Sequence, residues 1–186
     1  MKLATFDTAG LPTAFYDPTF QQAPDGAVAL SDDQWAEFIA HQGERCWNGT
    51  TVVAYEAPLA TLRSAKLAEL RAACAAAIVA GYSSSALGSP HLYPATLTDQ
   101  SNMLASVTSS LLPGLAEGWT TPFWCADAAG VWARRQHTVA QIRQAGSDGV
   151  AHVLAQQDLL SGLENDLAAA GSAAAVGAVV WPTGGA

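Results

Sequence analysis

The sequence predicts an α+β chain, with a small β-rich N-terminal module over residues 1–57 and a mostly α-helical domain with a β-hairpin over residues 58–186. Three observations carry this reading. Through the first module Pro and Gly recur (Gly10, Pro12, Pro18, Pro24, Gly26, Pro58) between brief aromatic and β-branched runs, the mark of short strands and turns. Leu59 to Ala80 then contains neither Gly nor Pro and is dense in Ala, Leu, Lys, Arg and Glu. From Val139 to Leu167, apolar residues return mostly at three- or four-residue intervals. A chain of 186 residues buries one ordinary core, or one core with a small accessory module.

In the first module, Leu3 to Phe6 and Thr13 to Tyr16 are placed to pair around the Asp7 to Pro12 turn. Ser31-Asp32-Asp33-Gln34 has the letters of a capping box, so a short helix should follow with Trp35, Phe38 and Ile39 on one apolar face. Trp47-Asn48-Gly49-Thr50 offers Asn-Gly where a type I′ turn needs two positive φ angles, which predicts a second hairpin continuing through Val52, Val53 and Tyr55.

In the second part, a long helix runs from Leu59 to Ala80 and ends at Gly81. Leu62, Lys66, Leu67, Leu70, Cys74, Ala77 and Ile78 include most of its inward positions, with Arg63 and Arg71 on its wet side. A loop over Gly81 to Leu97 precedes a helix capped by Thr98 or Asp99 and running to about Leu112, with Met103, Leu104, Val107 and Leu111 on one side. Pro113-Gly114 stops it, and Thr121 to Cys125 and Val131 to Arg134 then flank a hairpin turn. The last large helix starts near His137. Gly146 and Gly149 each cost it roughly 1 kcal/mol against alanine, which marks a kink or brief break. Gly171 ends it, Ala173 to Val179 form a last turn of helix, and Trp181-Pro182 closes the ordered part.

Composition narrows the function. Eight Lys+Arg against sixteen Asp+Glu leave a net charge of −8, and the bases form no run, so the chain lacks the footprint of a nucleic-acid binder. The N-terminus carries Asp7 where a signal peptide needs its apolar core, and no stretch approaches a membrane span, so a cytosolic protein is expected. Cys46, Cys74 and Cys125 have no C-x-x-C spacing and suggest neither disulfide nor zinc site; they read as buried small apolar residues. Asn48-Gly49-Thr50 fits a glycosylation acceptor in letters alone.

The residues that bear chemistry do not assemble into a catalytic pattern. Ser83-Ser84-Ser85 with His91 and Asp99 would be the raw material of a hydrolase triad, but no G-x-S-x-G elbow accompanies them, and such serines ordinarily satisfy loop backbone. Asp99, Gln100 and Asn102 lack the alternating acids and closing glutamate of an EF-type loop and read as capping and pinning groups. His41, His91, His137 and His152 show no ligand spacing, and no glycine-rich phosphate loop occurs. The expectation is a non-enzymatic chain with no cofactor and no metal.

Six tryptophans are the feature that a plain core explains least. Trp119, Trp124, Trp132 and Trp181 fall among the later elements, where they are expected to staple the bundle. Trp35 and Trp47 lie in the small module and are the better candidates for a partner surface.

Two stretches resemble known phage proteins. Phe15-Tyr16-Asp17-Pro18, Ala23-Pro24-Asp25-Gly26-Ala27-Val28, Leu30-Ser31-Asp32-Asp33-Gln34-Trp35, Asn48-Gly49 and Pro58 resemble, in order, the N-terminal part of bacteriophage tail-fibre assembly proteins. Gly81-Tyr82-Ser83-Ser84-Ser85-Ala86-Leu87-Gly88, Tyr93, Asp99-Gln100-Ser101-Asn102, His137-Thr138-Val139-Ala140-Gln141-Ile142 and Trp181 resemble an uncharacterised phage helical domain often fused to that module. Pro94-Ala95 departs from it where an acid is common, and the helical segments are richer in alanine.

The resemblance implies a chaperone of the bacterial host cytoplasm that binds the C-terminal region of a tail fibre and promotes its folding or trimerisation. Some relatives stay on the finished fibre, so the alternative is a virion subunit of the fibre or its tip that takes part in host attachment. Trimeric β-rich fibres fold slowly and expose strand edges that a partner can cover by strand addition. Tyr16, Trp35, Trp47 and Tyr55 are the residues expected on or near that contact.

Overall fold

A computed structural model describes residues 2–182. It is a mixed α+β chain of two compact units that divide after Pro58.

In the first unit, β1 (Lys2–Phe6) lies between β2 (Pro12–Tyr16) and β3 (Val28–Leu30), both antiparallel to it. The turn after β1 is built on Asp7, whose Oδ1 accepts from the amides of Ala9 (2.8 Å) and Leu11 (2.9 Å). Gly10 closes this turn at φ 77°, and its carbonyl accepts from the Trp47 amide at 2.8 Å. A Cβ there would stand 2.3 Å from the Trp47 carbonyl oxygen, so only glycine fits. Strand β3 did not stand out in the sequence because it is three residues squeezed between Gly26 and Ser31.

The Ser31–Gln34 capping box forms as read and opens α1 (Asp32–Ala40). Phe38 is the buried residue of that helix, Trp35 is half-buried, and Ile39 is exposed, so the apolar face is narrower than expected. Strands β4 (Arg45–Trp47) and β5 (Val52–Ala54) form the predicted second hairpin, extended by the Tyr55 amide donating to the Glu44 carbonyl at 2.9 Å. Its turn is not type I′: Gly49 has a positive φ and Asn48 does not. Asn48 Oδ1 instead accepts from the amides of Thr50 and Thr51 in a four-residue loop, a side-chain device that leaves the asparagine backbone unstrained.

The second unit begins with α2 (Leu59–Val79). Leu70 and Cys74 are buried on it, and Arg71 is exposed and paired with Glu164 at 3.0 Å. Arg63 corrects the expectation of a wet side. Its Nη2 donates to the Ala170 carbonyl at 2.7 Å and its Nε is buried. The segment expected as loop after Gly81 contains β6 (Tyr82–Ser84) and β7 (His91–Tyr93). These join β8 (Thr120–Ala126) and β9 (Trp132–Thr138) in a four-stranded antiparallel sheet of order β6-β7-β8-β9. The β8–β9 turn repeats the Asp7 device, with Asp127 Oδ1 accepting from the amides of Ala129 and Val131 at 3.0 Å each and Gly130 at φ 77°.

Helix α3 (Leu97–Ser109) starts at Thr96 rather than at Thr98 or Asp99: Thr96 is the cap and Asp99 its N3 partner in a reciprocal box. Leu104 and Leu111, expected inward with Met103 and Val107, are exposed. Helix α4 (Val139–Ala169) begins two residues later than read, capped by Thr138, while His137 belongs to β9 and is fully buried. The helix passes through Gly146 and Gly149 without a break, because both glycines are contact points. A Cβ on Gly146 would stand 2.7 Å from Val107 Cγ2, and one on Gly149 2.9 Å from Tyr82 Cζ. Helix α5 (Ala173–Ala178) follows.

Helix α4 joins two cores. Its first half packs with Tyr82, Tyr93, Met103, Phe123 and Cys125; its second half packs antiparallel to α2 around Leu70, Leu167 and Val176. Trp119 and Trp181 pack against these cores, but Trp124 and Trp132 do not staple the bundle. Strand alternation decides this: Phe123 and Cys125 point inward, so Trp124, opposite Arg134, points out. No helix among the described residues is long and apolar enough to cross a membrane.

Candidate functional site

Trp35 and Trp47 belong to one aromatic cluster in the first unit. The Phe15 ring meets Trp35 edge-on at 4.8 Å, Phe6 stacks on Trp47 at 5.9 Å, and Phe38 lies beneath at 5.5 Å from Phe6. Lys2 Nζ sits 4.6 Å from the centre of the Trp35 ring. Both tryptophans are therefore half-buried core members with one exposed flank. Tyr16 and Tyr55 lie outside this cluster and are also half-buried. Tyr16 is the last residue of the edge strand β2, and Tyr55 follows β5.

The surrounding charge is lopsided: residues 1–58 carry eight acids against Lys2 and Arg45. Arg45 is spent on Glu37, whose carboxyl its guanidinium holds below the usual carboxylate range at 2.6 Å. The Thr19 amide similarly lowers Asp17, next to Tyr16. The unit thus presents acids beside its edge strand.

In the second unit the serines and histidines have partners of their own. Ser84 Oγ donates to Asp148 Oδ2 at 2.5 Å while accepting from the Ala86 amide. His91 Nδ1 faces the Ser89 carbonyl, and Asp99 is occupied with Thr96. Gln100 Nε2 donates to the Ala95 carbonyl and pins the loop before α3. His152 Nε2 meets the Ala77 carbonyl at 3.1 Å. Among the described residues no three His, Cys, Asp or Glu side chains come together as a bound metal requires.

A surface that the sequence reading missed runs between α3 and α4. It is a groove of about 790 Å³, floored by Tyr82, Met103, Gly146 and Gly149 and walled by Leu97, Leu104, Val150 and Leu154. The two glycines let the helices and the Tyr82 ring approach closely, while the four wall residues are more than half exposed. A signal for it was present in the seven-residue spacing of Leu97 and Leu104, which places them along one side of a helix.

The family model described as a domain of unknown function (DUF4376) matches residues 61–180, inside the second unit. No curated protein and no solved structure matches the chain.

Proposed function

The chain belongs to the DUF4376 family, and we propose that it is a non-enzymatic assembly factor for a bacteriophage tail fibre, acting in the host cytoplasm through its first unit. The observation that carries this reading is the ordered series of residues in that unit that resembles tail-fibre assembly proteins. Those residues are also the unit's punctuation: Tyr16-Asp17-Pro18 ends β2, Pro24 to Val28 turns into β3, Ser31 to Trp35 opens α1, and Asn48-Gly49 turns β4 into β5.

A three-stranded sheet bounded by β2 and β3 leaves strand edges to which an unfinished β-rich fibre subunit can add. Acids beside β2 favour a basic segment and discourage that edge strand from pairing with the same strand of a second copy. Tyr16 and Tyr55, with the exposed flanks of Trp35 and Trp47, supply amphipathic aromatic contact.

The test is co-expression of the adjacent fibre subunit with and without this chain, reading the yield of soluble trimer. Trimer that depends on the chain, and falls with the Tyr16→Ser/Tyr55→Ser variant, supports the proposal. Equal trimer without the chain overturns it.

A further inference from the structure

We infer that the α3/α4 face is a homodimer surface on which two copies of this chain dock antiparallel about a two-fold axis. Six aliphatic side chains, Leu97, Leu104, Leu111, Leu112, Val150 and Leu154, are more than half exposed on α3, the turn after it and the facing side of α4. Leu97 and Leu104 are 75% and 68% exposed, although leucine in a helix beside a core ordinarily packs. Soluble monomers rarely leave more than a few hundred Å² of apolar surface in one patch. Four of the six, Leu97, Leu104, Val150 and Leu154, line one groove, an apolar surface of the kind that a partner covers.

Charge selects the occupant. Helices α3 and α4 run antiparallel, since Arg143 at the start of α4 donates from Nε to Ser110 Oγ, at the end of α3, at 3.0 Å. The groove is therefore basic at the Arg143 end. The opposite end, where Leu97 meets Leu154, carries Asp99 and, one helical turn beyond Leu154, the exposed Asp158. A second copy laid antiparallel sets each basic end against an acidic one, and a parallel copy sets like against like. Antiparallel docking also places Leu104 of one α3 across from Leu104 of the other, with Leu97 facing Leu111. This arrangement is self-complementary, as a two-fold interface must be.

The experiment is sedimentation equilibrium of the full chain, with Leu104→Glu as the disrupting variant and single-cysteine variants as register probes. A dimer is expected, with Leu104→Glu weakening it about thirtyfold or more, as central interface residues do, and leaving the far-UV spectrum of the folded chain unchanged. Mixed Leu97→Cys and Leu111→Cys chains should cross-link to each other and not each to itself. A monomer at the highest soluble concentration, or a dimer indifferent to Leu104→Glu, overturns the proposal; cross-linking of Leu97→Cys to itself overturns the antiparallel register.

Discussion

Tyr93 Oη lies 2.7 Å from Nε2 of His137, and both residues are fully buried. The other ring nitrogen, Nδ1, faces the Arg135 carbonyl at 2.8 Å. A carbonyl only accepts, so Nδ1 carries the hydrogen and Nε2 receives the tyrosine hydroxyl. The pair bridges β7 and β9 across β8, tying the outer strand of the hairpin to the middle of the sheet. Tyr93→Phe keeps the ring and strands Nε2 without a donor, which costs about 1–3 kcal/mol. Urea unfolding measures this, and a loss smaller than about 0.5 kcal/mol would place the bond outside the stability of the sheet.

The same histidine sets a pH dependence. Burial holds His137 below its ordinary value of 6.5, outweighing the opposite pull of the Arg135 carbonyl. Between that depressed value and 6.5 the unfolded chain binds the proton and the folded chain does not. Stability is therefore intact above 6.5 and declines as the pH falls below it. Melts across this window should show the decline in the parent chain and a shallower one in His137→Gln. Equal slopes would assign the effect to other groups.

Three glycines of α4 give a test with opposite signs. Gly162 has nothing within 4 Å of an added Cβ, so Gly162→Ala should stabilise by roughly 0.5–1 kcal/mol through helix propensity. Gly149→Ala meets the rigid Tyr82 ring and Gly146→Ala the stiff side chain of Val107. Both should destabilise by about 1–3 kcal/mol despite the better propensity. Thermal unfolding of the three variants decides it, and stabilisation by Gly149→Ala would mean that Tyr82 does not pack there.

Much of this fold was legible where local chemistry is self-sufficient. Ser31 with Gln34 opens a helix through contacts within four residues, and Asp7 and Asp127 each organise a tight turn through one carboxyl oxygen, with a glycine three residues on. What stayed hidden depends on partners distant in the chain. Strands β6 and β7 are three residues each, paired with each other and joined to β8 at Leu92 opposite Ala126, too short for a pattern to show. The glycines of α4 looked like weak points, and become contacts only once Val107 and Tyr82 are brought against them. Trp124 and Trp132 point outward by strand alternation, which composition cannot report. The same limit hid the α3/α4 groove, since the spacing of Leu97 and Leu104 fits an inward stripe and an outward one equally well.

The start of α3 offers a final prediction, since the sequence placed the cap at Thr98 or Asp99 and the structure places it at Thr96. Thr96 Oγ1 accepts from the Asp99 amide at 3.3 Å, and Asp99 Oδ2 accepts from the Thr96 amide at 3.2 Å. Thr96→Ala removes the acceptor and should cost about 1 kcal/mol. Thr98 sits inside the first turn, exposed, where alanine is the better helix former, so Thr98→Ala should be neutral or stabilising by a few tenths of a kcal/mol. Each variant loses one hydroxyl and one methyl group from Cβ, so parallel melts compare them directly. A larger loss at Thr98 would move the helix start by two residues and, with it, the first turn that presents Leu97 to the groove.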